Sequence, residues 1–158
     1  MKRLLASTTA LALTAGAAAA QDDTVKIGII LGFTGPIESL TPHMAAGAEM
    51  AMEEVSRSGK LLDGMTVEPV RADSTCIDSG AATTAAERLI TSEGIKGIMG
   101  ADCSGVTGAV LSNVALPNGM VMISPSATSP ALSTAEDDGL FFRTAPSDAR
   151  QGEVMANI

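Results

Sequence analysis

With 158 residues the chain has room for one domain with a sizeable core, and its formal charge is −8. That acidity argues against nucleic acid and anionic membrane surfaces as partners. The absence of Trp and Tyr, with only three Phe, argues against aromatic stacking platforms.

Taken in order, Lys2 and Arg3, the apolar stretch Leu4 to Ala15 and the small residues Ala18-Ala19-Ala20 have the layout of an export signal over residues 1–20. The apolar run is too short to span a bilayer. Removing the signal takes away two positive charges, so residues 21–158 carry −10, and the mature protein is expected in the periplasm. Val25 to Leu31 is a continuous aliphatic run, the pattern of a central strand, ending in the turn Gly32-Phe33-Thr34-Gly35-Pro36. Thr41-Pro42 reads as an N-cap and first-turn proline. The helix they open has Met44, Ala48, Ala51 and Val55 inward and Gly59 as its stop. Met65 to Ala72 is an expected edge strand because it contains Pro69.

Asp78 or Ser79 caps a second helix with Ala82, Ala85, Ala86, Leu89 and Ile90 inward, stopped by Gly94. A third strand starts near Ile95, and Ser104 is the expected N-cap of a third helix through Val106, Val110 and Val114. Met120 to Ile123 is a fourth strand, residues 131–138 an irregular acidic connection, and Leu140 to Thr144 a fifth strand with both Phe141 and Phe142 buried. Ala149 to Ile158 opens a further helix without a stop signal, so residues 21–158 read as an incomplete lobe that would expose apolar surface. The alternation predicts an α/β fold of three α/β/α layers around a mostly parallel, doubly wound sheet.

The chemistry on offer is sparse. No dinucleotide or phosphate-loop fingerprint follows a strand, and His43, the single imidazole, sits at a helix start where a solvated role is expected. Neither a metal site nor a cofactor is expected. Two cysteines in an exported chain point to a Cys76–Cys103 disulfide, against which stand two free thiols or half of a metal site. Cys103 at a strand-to-helix turn is also the one candidate nucleophile, so an exported thiol enzyme is the alternative reading. Four strand ends carry glycine or hydroxyl residues: Thr34-Gly35, Ser74-Thr75, Ser104-Gly105 and Ser126-Ala127-Thr128. Hydroxyls and free amides converging on one rim suit a small carboxylate, whereas singly each does no more than cap a helix or shape a turn. Asp73 and Asp102 share the rim and read as solvated or capping carboxylates.

The ordered series of motifs resembles the amino-terminal lobe of type I periplasmic solute-binding proteins, the branch similar to leucine/isoleucine/valine-binding proteins of ABC importers. It comprises Val25-Lys26-Ile27-Gly28 with Thr34-Gly35-Pro36, Ala46-Gly47-Ala48-Glu49-Met50-Ala51, Cys76 with Asp102-Cys103-Ser104, Ile123 to Leu132, and Phe142 to Asp148 followed by Gln151-Gly152. The resemblance implies lobe 1 of a type I periplasmic-binding-protein fold and no enzymatic activity. It further implies a ligand held between two hinged lobes, delivery to the membrane subunits of an ABC permease, and a monomer when complete. It also implies that Ser104 holds an amino acid's α-carboxylate and that Thr128 adds a hydroxyl and an amide. Ser126 offers its carbonyl to the α-ammonium, Ala127 shapes the turn, and Cys76–Cys103 is the family's disulfide. Leu40 stands where the branched-chain binders carry a tyrosine, and Ser126 where they carry a small apolar residue or glycine; both departures bear on which ligand is bound. A receptor's sensory domain has the same fold and is a further alternative.

Overall fold

The computed structural model describes residues 23–158, and the expected export signal lies outside them. Five strands, β1 (Thr24–Leu31), β2 (Thr66–Asp73), β3 (Ile98–Gly100), β4 (Met122–Ser124) and β5 (Phe141–Arg143), form one parallel sheet in the order β2-β1-β3-β4-β5. β1 pairs along its whole length with β2, from Thr24 opposite Thr66 to Leu31 opposite Asp73. Pro69 lies on β2 at the sheet edge, where its missing N–H removes no ladder bond.

Three helices connect strands, α1 (Thr41–Ser58), α2 (Ser79–Thr91) and α3 (Ser104–Val110), and a fourth, α4 (Asp148–Ala156), follows β5. Helices α2 and α3 cover one face of the sheet, where Ala82, Ala86, Leu89, Val106, Val110 and Val114 pack with Ile30, Ile98 and Met122. Gly28 in β1 permits that close approach, since a Cβ there would stand 2.8 Å from Ile95 and 2.9 Å from Leu89 side-chain carbons. Of the two expected caps of α2 it is Asp78 that serves, its carboxylate accepting the Ala81 N–H at 2.9 Å, while Ser79 is the first helical residue.

Helix α1 takes the other face and departs from expectation in two ways. Its stop is Gly59, in the left-handed region at φ 63°, but its N-cap position is Leu40, with no side-chain cap. Thr41 instead lies inside the helix, buried, and its hydroxyl donates to the Gly32 carbonyl at 2.9 Å. The inner face is centred on Ala45, flanked by Met44, Ala48 and Met52 against Ile29 and Leu31, while Ala51 and Val55 remain exposed. The helix packs chiefly over β2 and β1.

The same geometry corrects the reading of the two phenylalanines. Phe141 is buried among the α3-side core, but Phe142 points to the α1 side and is 53% exposed. Adjacent strand residues take opposite faces, and no described helix reaches over β5 on that side. Between α1 and the bare part of the sheet runs an apolar groove of about 520 Å³, lined by residues that include Ile27, Met52, Val55, Met99, Val121 and Ile123.

Candidate functional site

Parallel strands deliver their carboxyl ends to one edge, so the loops after β1, β2, β3 and β4 meet there. At that edge Ser104 is not the N-cap. Cys103 holds that position, and Ser104 is the first residue of α3. The neighbouring Asp102 carboxylate accepts the Cys103 N–H at 2.8 Å, which leaves the Ser104 side chain for other partners. Its hydroxyl oxygen accepts the N–H groups of Thr128 and Ser129, each at 3.1 Å. With both lone pairs occupied, the Ser104 hydroxyl proton remains to be donated.

The turn after β4 is held from below and from the side. Ser124, fully buried, donates its hydroxyl to the Ala101 carbonyl at 2.5 Å and accepts the Ala127 N–H at 3.0 Å. Ala127 is itself buried in the core, so it shapes the turn from underneath. Arg143 donates to the carbonyls of Ala127 (3.3 Å) and Ser129 (2.8 Å) and to the Ser133 hydroxyl. The Thr128 hydroxyl donates to an Asp148 carboxylate oxygen at 3.0 Å, and the Thr128 carbonyl accepts the Asp148 N–H at 2.9 Å. Ser126 donates its hydroxyl to the Asp102 carbonyl at 3.0 Å, and its own carbonyl accepts no hydrogen bond from the described residues. The turn therefore offers an anion-seeking proton at Ser104, with a carbonyl at Ser126 and a carboxylate at Asp148 for a cation.

The disulfide is formed: Cys76 and Cys103 are joined at an S–S distance of 2.09 Å with Cα atoms 5.2 Å apart. It binds the loop after β2 to the start of α3 and occupies the sulfur on which a Cys103 nucleophile would depend. Thr75 and Cys76 both sit at positive φ, 57° and 69°, uncommon for residues with a Cβ. Asp73 secures this bend, accepting the Thr75 N–H at 2.8 Å, the Thr34 hydroxyl at 2.6 Å and the Thr34 N–H at 3.3 Å. Burial alone would raise its pKa, but these donors together outweigh it and hold the carboxyl below the ordinary 3.8. Leu40 ends the loop after β1 with its apolar side chain 55% exposed, and His43 is solvent-exposed one turn further on.

Sequence reasoning underrated three residues here. Asp102, read as a solvated or capping carboxylate, is only 1% exposed and bonds the Cys103 N–H at the start of α3. In the sequence Asp148 stands only at the end of a motif, although Ser147-Asp148 at a helix start, with the Ser147 hydroxyl accepting the Ala149 N–H, marks it as a fixed acidic position. Arg143 spends its guanidinium on loop oxygens, a role that only the fold reveals.

A model of the periplasmic binding protein family matches residues 24–158. A Leu/Ile/Val-binding protein homolog from Brucella melitensis is 34% identical over 157 residues, 99% of this chain and 41% of the relative. The crystal structure of a leucine-binding protein from Thermotoga maritima superposes with a TM-score of 0.72 at 32% identity, covering 84% of this chain and 35% of that one. A branched-chain amino acid transporter substrate-binding protein from Streptococcus pneumoniae, solved with isoleucine, gives 0.70 at 29% identity over 79% of this chain and 34% of its own. This chain thus spans about two fifths of the length of the curated relative, and it belongs to the periplasmic binding protein family.

Proposed function

We propose that the chain supplies the amino-terminal half of an amino-acid site in the binding component of an ABC importer, with a branched-chain or other apolar amino acid as its ligand. The observation that carries this reading is the Ser104 hydroxyl, whose oxygen accepts two backbone N–H groups and so keeps its proton free to donate. A carboxylate accepts that proton together with the unpaired N–H groups of the first turn of α3. The ammonium of the same zwitterion meets the Ser126 carbonyl and the Asp148 carboxylate, which Thr128 steadies. Leu40, with its exposed apolar side chain, faces the ligand's hydrocarbon part. A second lobe closes over this corner, and the loaded protein delivers its ligand to permease subunits in the membrane. A periplasmic location belongs to this reading, supported by the export-signal layout of residues 1–20 and by a disulfide that suits an oxidising compartment. The solved relative with isoleucine and the leucine-binding relative support the ligand class.

Titration calorimetry of the full-length protein with L-leucine, L-isoleucine and L-valine tests the assignment. Ser104→Ala removes a hydrogen bond to a charged group and is expected to weaken binding about tenfold or more. Unchanged affinity would remove Ser104 from the carboxylate site.

A further inference from the structure

All four rim loops are bonded to one residue. Asp102 Oδ2 accepts the Gly32 N–H from the loop after β1 at 2.5 Å. Its Oδ1 accepts the Ser74 hydroxyl from the loop after β2 at 3.0 Å and the Cys103 N–H at the start of α3 at 2.8 Å. Its backbone carbonyl accepts the Ser126 hydroxyl from the turn after β4 at 3.0 Å. Among the described residues no Lys, Arg or His comes within ion-pair distance of this buried carboxylate. A buried charge without a counter-charge is costly, and an apolar side chain would fill the same space more cheaply. What an apolar side chain cannot do is accept three bonds from three directions at once.

We propose that Asp102 is the positioning residue of the ligand corner, locking the four loops into one rim and setting the Cys103–Ser104 peptide at the angle the ligand carboxylate requires. Every polar neighbour of the carboxylate is a donor. The Ser74 hydroxyl also accepts the Cys76 N–H at 3.3 Å, so its own proton is directed at Asp102. Asparagine in its place would turn an N–H₂ group toward one of these donors, and the Gly32 N–H, paired with Oδ2 alone, has no other partner to fall back on. The residue touches no ligand under the proposed function. It acts through Ser104, and the proposal rests on the reading of the Ser104 corner as the carboxylate site.

The test is a double-mutant cycle in the full-length protein, with L-leucine as the titrant and melting temperature recorded beside affinity. Asp102→Asn is expected to weaken leucine binding roughly tenfold, and to add less than about twofold when combined with Ser104→Ala, because residues that act as one unit are non-additive. An equal loss in both backgrounds would mean that Asp102 merely stabilises the fold, and would overturn the proposal. A silent Ser104→Ala would overturn the carboxylate reading itself, and the proposal with it, a result distinct from the first. Should Asp102→Asn fail to fold, Ser74→Ala removes a single donor, and the same cycle is run with it. Additivity of Ser74→Ala with Ser104→Ala overturns the proposal, and non-additivity upholds it.

Discussion

The strand-end rim and the α1-side groove lie within one small sheet and are built by opposite means. In the rim, nearly every polar group has a named partner, and Asp102, Ser104, Ser124 and Arg143 join loops that are far apart in sequence. The groove has apolar walls and no lock: Val121, Ile123 and Phe142 are 40%, 43% and 53% exposed. The contrast teaches that the candidate site is organised by the described residues themselves, whereas one layer of the sheet's packing is not complete within them. A binding corner needs fixed directions, which hydrogen bonds supply. A covering layer needs only area, which any matching apolar surface supplies.

Substitutions on the two sheet faces give the sharpest break of this comparison. Leu89→Ala, in the closed α2 side, is expected to cost about 3–4 kcal/mol in urea unfolding, while Ile123→Thr in the groove should stay within about 0.5 kcal/mol. Comparable losses at both positions would mean that the groove is packed in solution. Removing the Cys76–Cys103 link, by Cys→Ser at both positions, is expected to cost about 3.5 kcal/mol on the loop-entropy account, for a sequence separation of 27. If the unfolding midpoint does not move, the rim is held by its hydrogen bonds alone.

The smallest effect belongs to Asp73. Its native pKa is depressed, so the stability it confers is present above its unfolded value near 3.8 and is lost as pH falls through the lower native value. Amide shifts of Thr34 and Thr75 followed by NMR should titrate together with a midpoint below 3.8. A midpoint at or above that value would detach Asp73 from the bend.

Much of this was legible in the sequence, because strand runs, helix stops and the β–α alternation are local signals. Val25 to Leu31, Gly59, Asp78 and the edge position of Pro69 all report themselves to their near neighbours. The failures share a cause in contacts between distant segments. Thr41 has the chemistry of a cap but is claimed by Gly32, nine residues earlier, and Ser104 is claimed by the turn 24 residues later. The expectation of a buried Phe142 fails because strand alternation says which side a residue takes, not whether anything covers that side. Asp102 lies beside a cysteine at a strand end, and only the convergence of three other loops shows that it is buried.

The doubly accepting Ser104 hydroxyl has a kinetic side as well. A free serine side chain samples three rotamers and points its proton anywhere, so a ligand must wait for, or induce, the right one. Here the two incoming amides have already chosen the rotamer, and the proton can swing only into the space they leave. Under the proposed function a carboxylate would meet a hydroxyl that is already oriented, and the slow step of capture would pass to whatever closes over it.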